Sequence, residues 1–438
     1  MLIKRLQLAL IHTAVAMTLV PINSTLNRVM IKELALSATL VAVLASLPYF
    51  FAPLQVLIGA YSDRHPILGW RRIPYIALGL GLCAAGVALA PQAVFLISRQ
   101  PLPGLALSLL VFMAWGMGYN LASVAYLSLA AELSGEGGRS RTIGVMWFLM
   151  IVGIILTAAT LSRLLREYSP QALQSAFEIV ALAALGLGAL GLARLEPRHS
   201  AALPLAPSAM DDSRTDWRLL LRRVLGNTQA RRFFFYLVIL LAAILGQDVL
   251  LEPFAGEALG LSVEQTTRIT SIWGGCVLLA FLLANLLESR LSKKGVARIG
   301  ALTAMAGLLA IVGGGWLDQR GVFYGGVVLL GLGTGLSTVS NLSLMLDMTT
   351  AQVGLFIGAW GVANALSRLI GTLTAGVFRD LLTLATGNSV MGYILVFLTQ
   401  VVFLGVSLAM LNRIDVHRFR EQTRPDLAER AVLMNDAT

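Results

Sequence analysis

The sequence predicts an all-α membrane protein in which twelve transmembrane helices form two six-helix halves. Three observations carry that prediction. Hydrophobic residues make up 57% of the 438 and charged residues only 13%, about half the ~25% of soluble domains, and the mean hydropathy is +0.78. Apolar stretches of roughly 20 residues, enough to cross a ~30 Å hydrocarbon core, recur along nearly the whole chain. Finally, a pattern repeats. Gly116-x-Gly118, Leu127-Ser128-Leu129 and Glu132 are matched by Gly331-x-Gly333, Leu342-Ser343-Leu344 and Asp347, each pair 215 residues apart. A second set lies 225 residues apart: Leu34-Ala35-Leu36-Ser37 with Leu259-Gly260-Leu261-Ser262, and Gly59-x-x-x-Asp63 with Ala284-x-x-x-Glu288.

The first half, 1–194, is expected to hold spans at 6–27, 37–61, 74–97, 104–131, 142–165 and 173–194. Lys4 and Arg5 ahead of the first apolar run resemble the start of a signal peptide. No small-residue cleavage site follows, so the run is read as a span. Ser37 is placed to cap the second span. In the sixth, Gly186-x-Gly188-x-x-Gly191 has the letters of a dinucleotide fingerprint. No strand precedes it, which favours close helix packing.

Residues 195–231 form a cytoplasmic linker, broken by Pro197, Pro204 and Pro207. It ends in a short amphipathic helix with Trp217, Leu220, Leu221, Val224 and Leu225 on one face and Arg218, Arg222 and Arg223 on the other. Such a stripe lies in a membrane interface or docks on a partner. The second half, 232–411, is expected to hold spans at 232–256, 264–287, 296–317, 321–346, 352–378 and 389–411, with a capping box formed by Ser262 and Gln265 at the second of these. A polar cytoplasmic tail, 412–438, closes the chain.

Lys and Arg test this map. With the N-terminus in the cytoplasm, 24 of the 33 basic residues fall on the cytoplasmic side and 8 on the other, as expected for an even number of spans with both termini inside. The net charge of +10 then points to anionic membrane lipid, and nucleic acid is not an expected partner. Cys83 and Cys276 lie in different spans and form no disulfide or zinc motif. Two related halves with an even span number are the parallel repeat of major facilitator proteins.

Charged side chains within spans are costly and mark function. Gly59-x-x-x-Asp63-Arg64 with Arg71-Arg72 resembles the signature loop of the major facilitator superfamily, and with Glu132, Asp347 and Arg368 it is read as an inter-half charge network. Its Asp63 either biases the two halves between states or locks them permanently. Asp347 is the expected partner of Arg368. A buried polar cluster is expected from Arg28, Gln247, Asp248, Glu252 and Arg268. Asp248 and Glu252, at i and i+4, either hold a proton or cation or pair with Arg28 or Arg268. His12, alone inside a span, is a possible ligand to the magnesium of a chlorin, or is simply hydrogen-bonded in the bundle. No metal site, P-loop, G-x-S-x-G or paired catalytic carboxylates appear, so no enzymatic role is expected.

Four segments carry a more specific resemblance: Thr25-Leu26-Asn27-Arg28-Val29-Met30; Ser62-Asp63 with Gly69-Trp70-Arg71-Arg72-Ile73-Pro74-Tyr75; Gln247-Asp248-Val249-Leu250-Leu251-Glu252-Pro253-Phe254; and Gly354-Leu355-Phe356-Ile357-Gly358-Ala359-Trp360-Gly361. Thr266-Thr267-Arg268 and Trp273 follow the third. Together they resemble the PucC-like bacteriochlorophyll-delivery family of the major facilitator superfamily. The resemblance implies a light-harvesting assembly factor in a bacterial inner or photosynthetic membrane. Its cargo would be chlorophyll or bacteriochlorophyll, and its partners antenna or photosystem polypeptides and pigment-synthesis enzymes. The loop Asp63-Arg64-His65-Pro66 departs from the family's purple-bacterial wording, and no motif assigns a pigment ligand. The alternative from another class is a proton-coupled secondary transporter of a small or amphipathic solute, working through Asp248, Glu252 or Glu132.

Overall fold

The computed structural model describes residues 2–134, 138–196, 228–347 and 353–414. The amphipathic stretch at 217–225 and most of the polar tail lie outside them. Eleven described helices are long and apolar enough to cross a membrane. A shorter apolar helix, Ala38–Phe50, is continued by Leu54–Arg64 as the twelfth.

In chain order the helices are α1 (Leu2–Met17), α2 (Ala38–Phe50), α3 (Leu54–Arg64), α4 (Ile73–Arg99), α5 (Pro101–Ser134), α6 (Arg139–Leu164), α7 (Pro170–Leu192), α8 (Thr228–Leu245), α9 (Leu251–Ala258), α10 (Val263–Glu288), α11 (Lys293–Trp316), α12 (Arg320–Asp347), α13 (Val353–Thr386) and α14 (Ser389–Asn412). Ser37 accepts from the Leu40 N–H, and Ser262 and Gln265 form the predicted capping box.

Three spans depart from uniform helix, each at a residue that weakens the backbone ladder. The first continues past α1 through two π-helical stretches, Pro21–Leu26 and Val29–Glu33. Pro21 has no N–H to give to the preceding turn, and wider turns follow it. The second breaks between α2 and α3, where Pro48 and Pro53 remove two donors. The seventh was expected to be one helix from 232 to 256. Instead α8 ends in a 3₁₀ turn, Gly246–Val249, before α9, because Gly246 is a weak helix former and Pro253 cannot donate to Val249. The turn breaks the register expected of Asp248 and Glu252, and they face different partners.

Glycines set the closest contacts within each half, in matching places. A side chain on Gly118 would begin 2.5 Å from the Gly79 carbonyl, joining α5 to α4, and one on Gly333 would begin 2.6 Å from the Gly300 carbonyl, joining α12 to α11. Small residues at such crossings let backbones touch where lipid offers no hydrophobic drive. Gly118→Leu and Gly333→Leu are each expected to destabilise their own half by at least ~1–3 kcal/mol through overpacking. Thermal melts in mild detergent check this, with Gly81→Leu as control, since a side chain at Gly81 meets nothing within 4 Å. The Gly186 motif follows the same logic: Gly188 meets Leu80 of α4, and Gly191 meets Gln7 and Ile11 of α1. It is a packing surface.

The halves meet along α6 against α10 and α2 against α13, while the π-helical part of the first span packs on α9 and α10. Ser162 of α6 donates to the Glu264 carbonyl at 3.0 Å, and Ser271 of α10 returns a bond to the Ile155 carbonyl at 3.2 Å.

Candidate functional site

Ser24, Thr25, Arg28 and Lys32 fall on one face of the widened first span and meet the second half at the end of the bundle away from the N-terminus. Ser24 donates to Glu252 Oε1, and Thr270 donates to the same oxygen at 2.8 Å. The Thr25 and Thr267 hydroxyls are 3.1 Å apart. Arg28, 2% exposed, donates through Nη1 to Glu33 at 2.7 Å and through Nη2 to the Leu261 carbonyl at 3.0 Å. Lys32 donates to the Gly256 carbonyl. A Cβ at Gly256 would stand 2.9 Å from Lys32 Cδ and 3.3 Å from Arg28 Nε, so both side chains pass close over this position. Burial of charges on this scale is tolerated only with such pairing.

Beside this group, Asp380 of α13 caps α2 from the opposite half. Its carboxylate accepts from the Ala38 N–H at 3.1 Å, the Thr39 N–H at 2.8 Å and the Thr39 hydroxyl at 2.7 Å. Arg379 pairs with Asp380 at 3.1 Å and Glu257 at 3.2 Å, and lies over the Tyr393 ring at 4.6 Å. Tyr393 in turn donates to Glu257 at 2.8 Å.

A second group lies at mid-span. Arg368 reaches Asp248 at 3.4 Å and stands 5.8 Å from the ring centroid of Tyr49 in the other half. Gln247 donates to Asp248 at 2.6 Å. Arg368 and Asp248 are 37% and 29% exposed at their side chains.

The third group lies at the N-terminal end of the bundle. Arg72 donates to Glu132 at 2.9 Å and to Ser62 at 2.8 Å. Glu196 accepts from the Arg71, Arg72 and Ile73 N–H groups at 2.9–3.1 Å, supplying the anion that the start of α4 favours. Gly59 packs on Val124 of α5.

These positions show part of the predicted charge network. Arg72 and Glu132 tie α4 to α5 inside the first half, and Arg368 pairs with Asp248 inside the second. Asp248 is the described partner of Arg368, and the side chains of Asp63, Arg64 and Asp347, which the rest of the predicted network needs, lie outside the described residues. Arg28, Gln247 and Glu252 are buried as expected and Asp248 partly so, but Arg268 is exposed and leaves the cluster. Glu252 is held by the Ser24 hydroxyl across the seam and the Thr270 hydroxyl of its own half, in place of the expected arginine. The residues that do bridge the halves include Lys32 and Asp380, which sequence reasoning left out. His12 is 8% exposed beside Tyr126, ring centroids 5.1 Å apart, with its Nδ1 unpartnered. Among the described residues no three His, Cys, Asp or Glu side chains gather as a metal site.

The PUCC protein family profile matches residues 25–419. Protein PucC of Cereibacter sphaeroides is 31% identical over 425 residues, covering 93% of this chain and 91% of its own. The bacteriochlorophyll synthase 44.5 kDa chain of Rhodobacter capsulatus is 32% identical over 387 residues, covering 86% of this chain and 87% of its own. Among solved structures, a mutant of the nucleoside transporter NupG superposes with a TM-score of 0.74 at 15% identity, over 94% of this chain and 99% of that one. The fold is that of the major facilitator transporters, and the chain is a multi-pass membrane protein belonging to the PUCC protein family.

Proposed function

We propose that this protein is a non-enzymatic photosynthetic assembly factor that binds chlorophyll or bacteriochlorophyll and delivers it to light-harvesting or photosystem subunits. The observation that carries the reading is the family match over 25–419, and the pigment in one relative's name, the bacteriochlorophyll synthase 44.5 kDa chain, supports it. The geometry is compatible for a physical reason. Each charged side chain of the seam, from Arg28 to Asp380, bonds at least one side-chain or backbone partner, and these bonds hold the halves together. A largely hydrocarbon cargo is then handled at apolar helix surfaces, where close glycine packing leaves shallow grooves. The protein would sit in the inner or photosynthetic membrane with both termini cytoplasmic, alongside antenna or photosystem polypeptides, pigment-synthesis enzymes and anionic lipid.

The test is genetic and spectroscopic. Deleting the gene in its phototrophic host is expected to remove one pigment–protein band, and protein purified in mild detergent is expected to carry chlorin absorption. Unchanged pigment–protein bands together with a colourless preparation sink the reading. One observation favours the transporter alternative: the partly exposed Arg368–Asp248 pair at mid-span, facing Tyr49 across the halves. Proton-coupled uptake into proteoliposomes, abolished in Asp248→Asn, decides for that role.

A further inference from the structure

One acidic side chain stands on the outer surface of the first half at a depth where lipid offers it nothing. Glu178 of α7 is exposed, and it is the ninth of 23 residues in that helix. The part of α7 beyond it rises only about 21 Å, too little to cross a ~30 Å hydrocarbon core. Glu178 therefore lies inside that core, about 9 Å or more from its nearer edge. A second helix gives a similar depth. Gln174, one turn from Glu178, donates to the Ala88 carbonyl at 2.9 Å, and Ala88 is the sixteenth of 27 residues in α4, close to the middle.

Among the described residues Glu178 has one hydrogen-bond partner, Gln174, which donates to its Oε1 at 2.6 Å. The side chain is too short to lift its charge to the headgroups, as the long stems of Lys and Arg do. Ionisable groups at this depth are costly and ordinarily face the interior of a bundle. Here the group faces outward, in line with other exposed residues. Leu182, Leu185 and Ala189 follow it at spacings of four, three and four, and Ser175 and Gln171 continue the line toward the helix start. That spacing is the one by which a helix packs along another helix.

Charge selects the occupant. Acyl chains carry no donor. A chlorin with its magnesium is neutral, so ligation by Glu178 would leave a net negative charge in an apolar medium, which is strongly unfavourable. A second copy of this chain offers no match either, because the arginines inside its spans, Arg28, Arg368 and Arg379, already pair with acids. We propose that the α7 face around Glu178 docks a transmembrane helix of another polypeptide, whose lysine, arginine or histidine at mid-depth donates to the Glu178 carboxylate. Polar pairs of this kind join helices within lipid. That the polypeptide is an antenna or photosystem subunit rests on the function proposed above. The docking face itself does not.

The test places the full-length protein in phosphatidylcholine vesicles with a Leu–Ala transmembrane peptide carrying a central Lys, or with its central-Leu counterpart. A photo-cross-linker at Leu182 reads the contact, and one at Val402 of α14, 61% exposed, is the control. The Leu182 probe is expected to capture the Lys peptide at least about threefold better than the Leu peptide, and the Val402 probe to show no preference. Glu178→Leu is expected to abolish the preference and, since it takes a charge out of lipid, to melt no lower than wild type. Equal capture of both peptides, or a preference that survives Glu178→Leu, overturns the proposal. A melt well below wild type also overturns it, by making Glu178 a tie from α7 to α4 through Gln174. So does capture of a second copy, or retention of added chlorophyll a, that Glu178→Leu abolishes without any peptide preference. In the phototrophic host the variant is expected to lose the pigment–protein band that gene deletion removes, and its retention overturns the antenna assignment. If deletion itself changes no band while the peptide preference holds, the docking face stands and the assembly reading falls.

Discussion

Arg28→Met is expected to destabilise the protein by about 3 kcal/mol, at the lower end of the cost of breaking a buried ion pair from one side. The side chain is 2% exposed and donates across the seam to the Leu261 carbonyl while neutralising Glu33. Methionine has similar length and volume, so packing is largely kept and the loss is that of charge and donors. Glu33 is 35% exposed at its side chain, and its remaining access to solvent keeps the penalty from the upper end. Adding Glu33→Gln removes the stranded carboxylate and is expected to restore part of the loss, a coupling that a double-mutant cycle measures. Thermal melts of all four proteins in one detergent supply the cycle. A single-mutant change below ~0.5 kcal/mol, typical of an exposed surface substitution, would show that the seam does not hold the halves together.

The spans and the duplicated glycine contacts were legible because they depend on local physics. Hydrocarbon thickness sets a minimum run of apolar residues, and a crossing between neighbouring helices sets where glycine must stand. Gly118 and Gly333 could therefore be matched by spacing alone, and they occupy matching crossings. The bridging contacts were not legible, for an equally physical reason. Ser24 meets Glu252 at a separation of 228 residues and Thr39 meets Asp380 at 341, and neither separation is a repeat interval. Contacts across a two-fold seam join non-equivalent elements, so internal repetition carries no record of them. The misassigned register of Asp248 and Glu252 has a different origin. Uniform helical periodicity placed them on one face, and the 3₁₀ turn beside Gly246 and Pro253 rotated them apart. Pro253 was visible in the sequence as a weak point, but its effect on facing depended on which neighbours were waiting. Arg268 was misplaced because its neighbours Thr266 and Thr267 point inward, 0% exposed, and the next residue along an α-helix turns outward.

Asp380→Ala is expected to cost roughly 2–3 kcal/mol and to act on the half that does not contain it. The carboxylate satisfies two backbone N–H groups at the start of α2 and the Thr39 hydroxyl. Those donors are among the orphan groups of a helix N-terminus, which no residue of α2 itself can satisfy. Ala38 is 0% exposed, so water does not readily replace the lost acceptor. The expected cost combines a cap, ~0.5–2 kcal/mol, with the desolvation of a stranded donor, ~1–3 kcal/mol, less what Ser37 still supplies by accepting from Leu40. Asp380→Asn separates charge from geometry. It retains one acceptor oxygen but loses the attraction of an anion for the helix dipole and for Arg379, 3.1 Å away, so an intermediate loss is expected. Hydrogen exchange is the discriminating readout. Faster exchange confined to 38–41, with α13 unchanged, identifies Asp380 as a cap delivered from the opposite half, whereas equal loosening of both helices would mean that the residue merely fills space in α13.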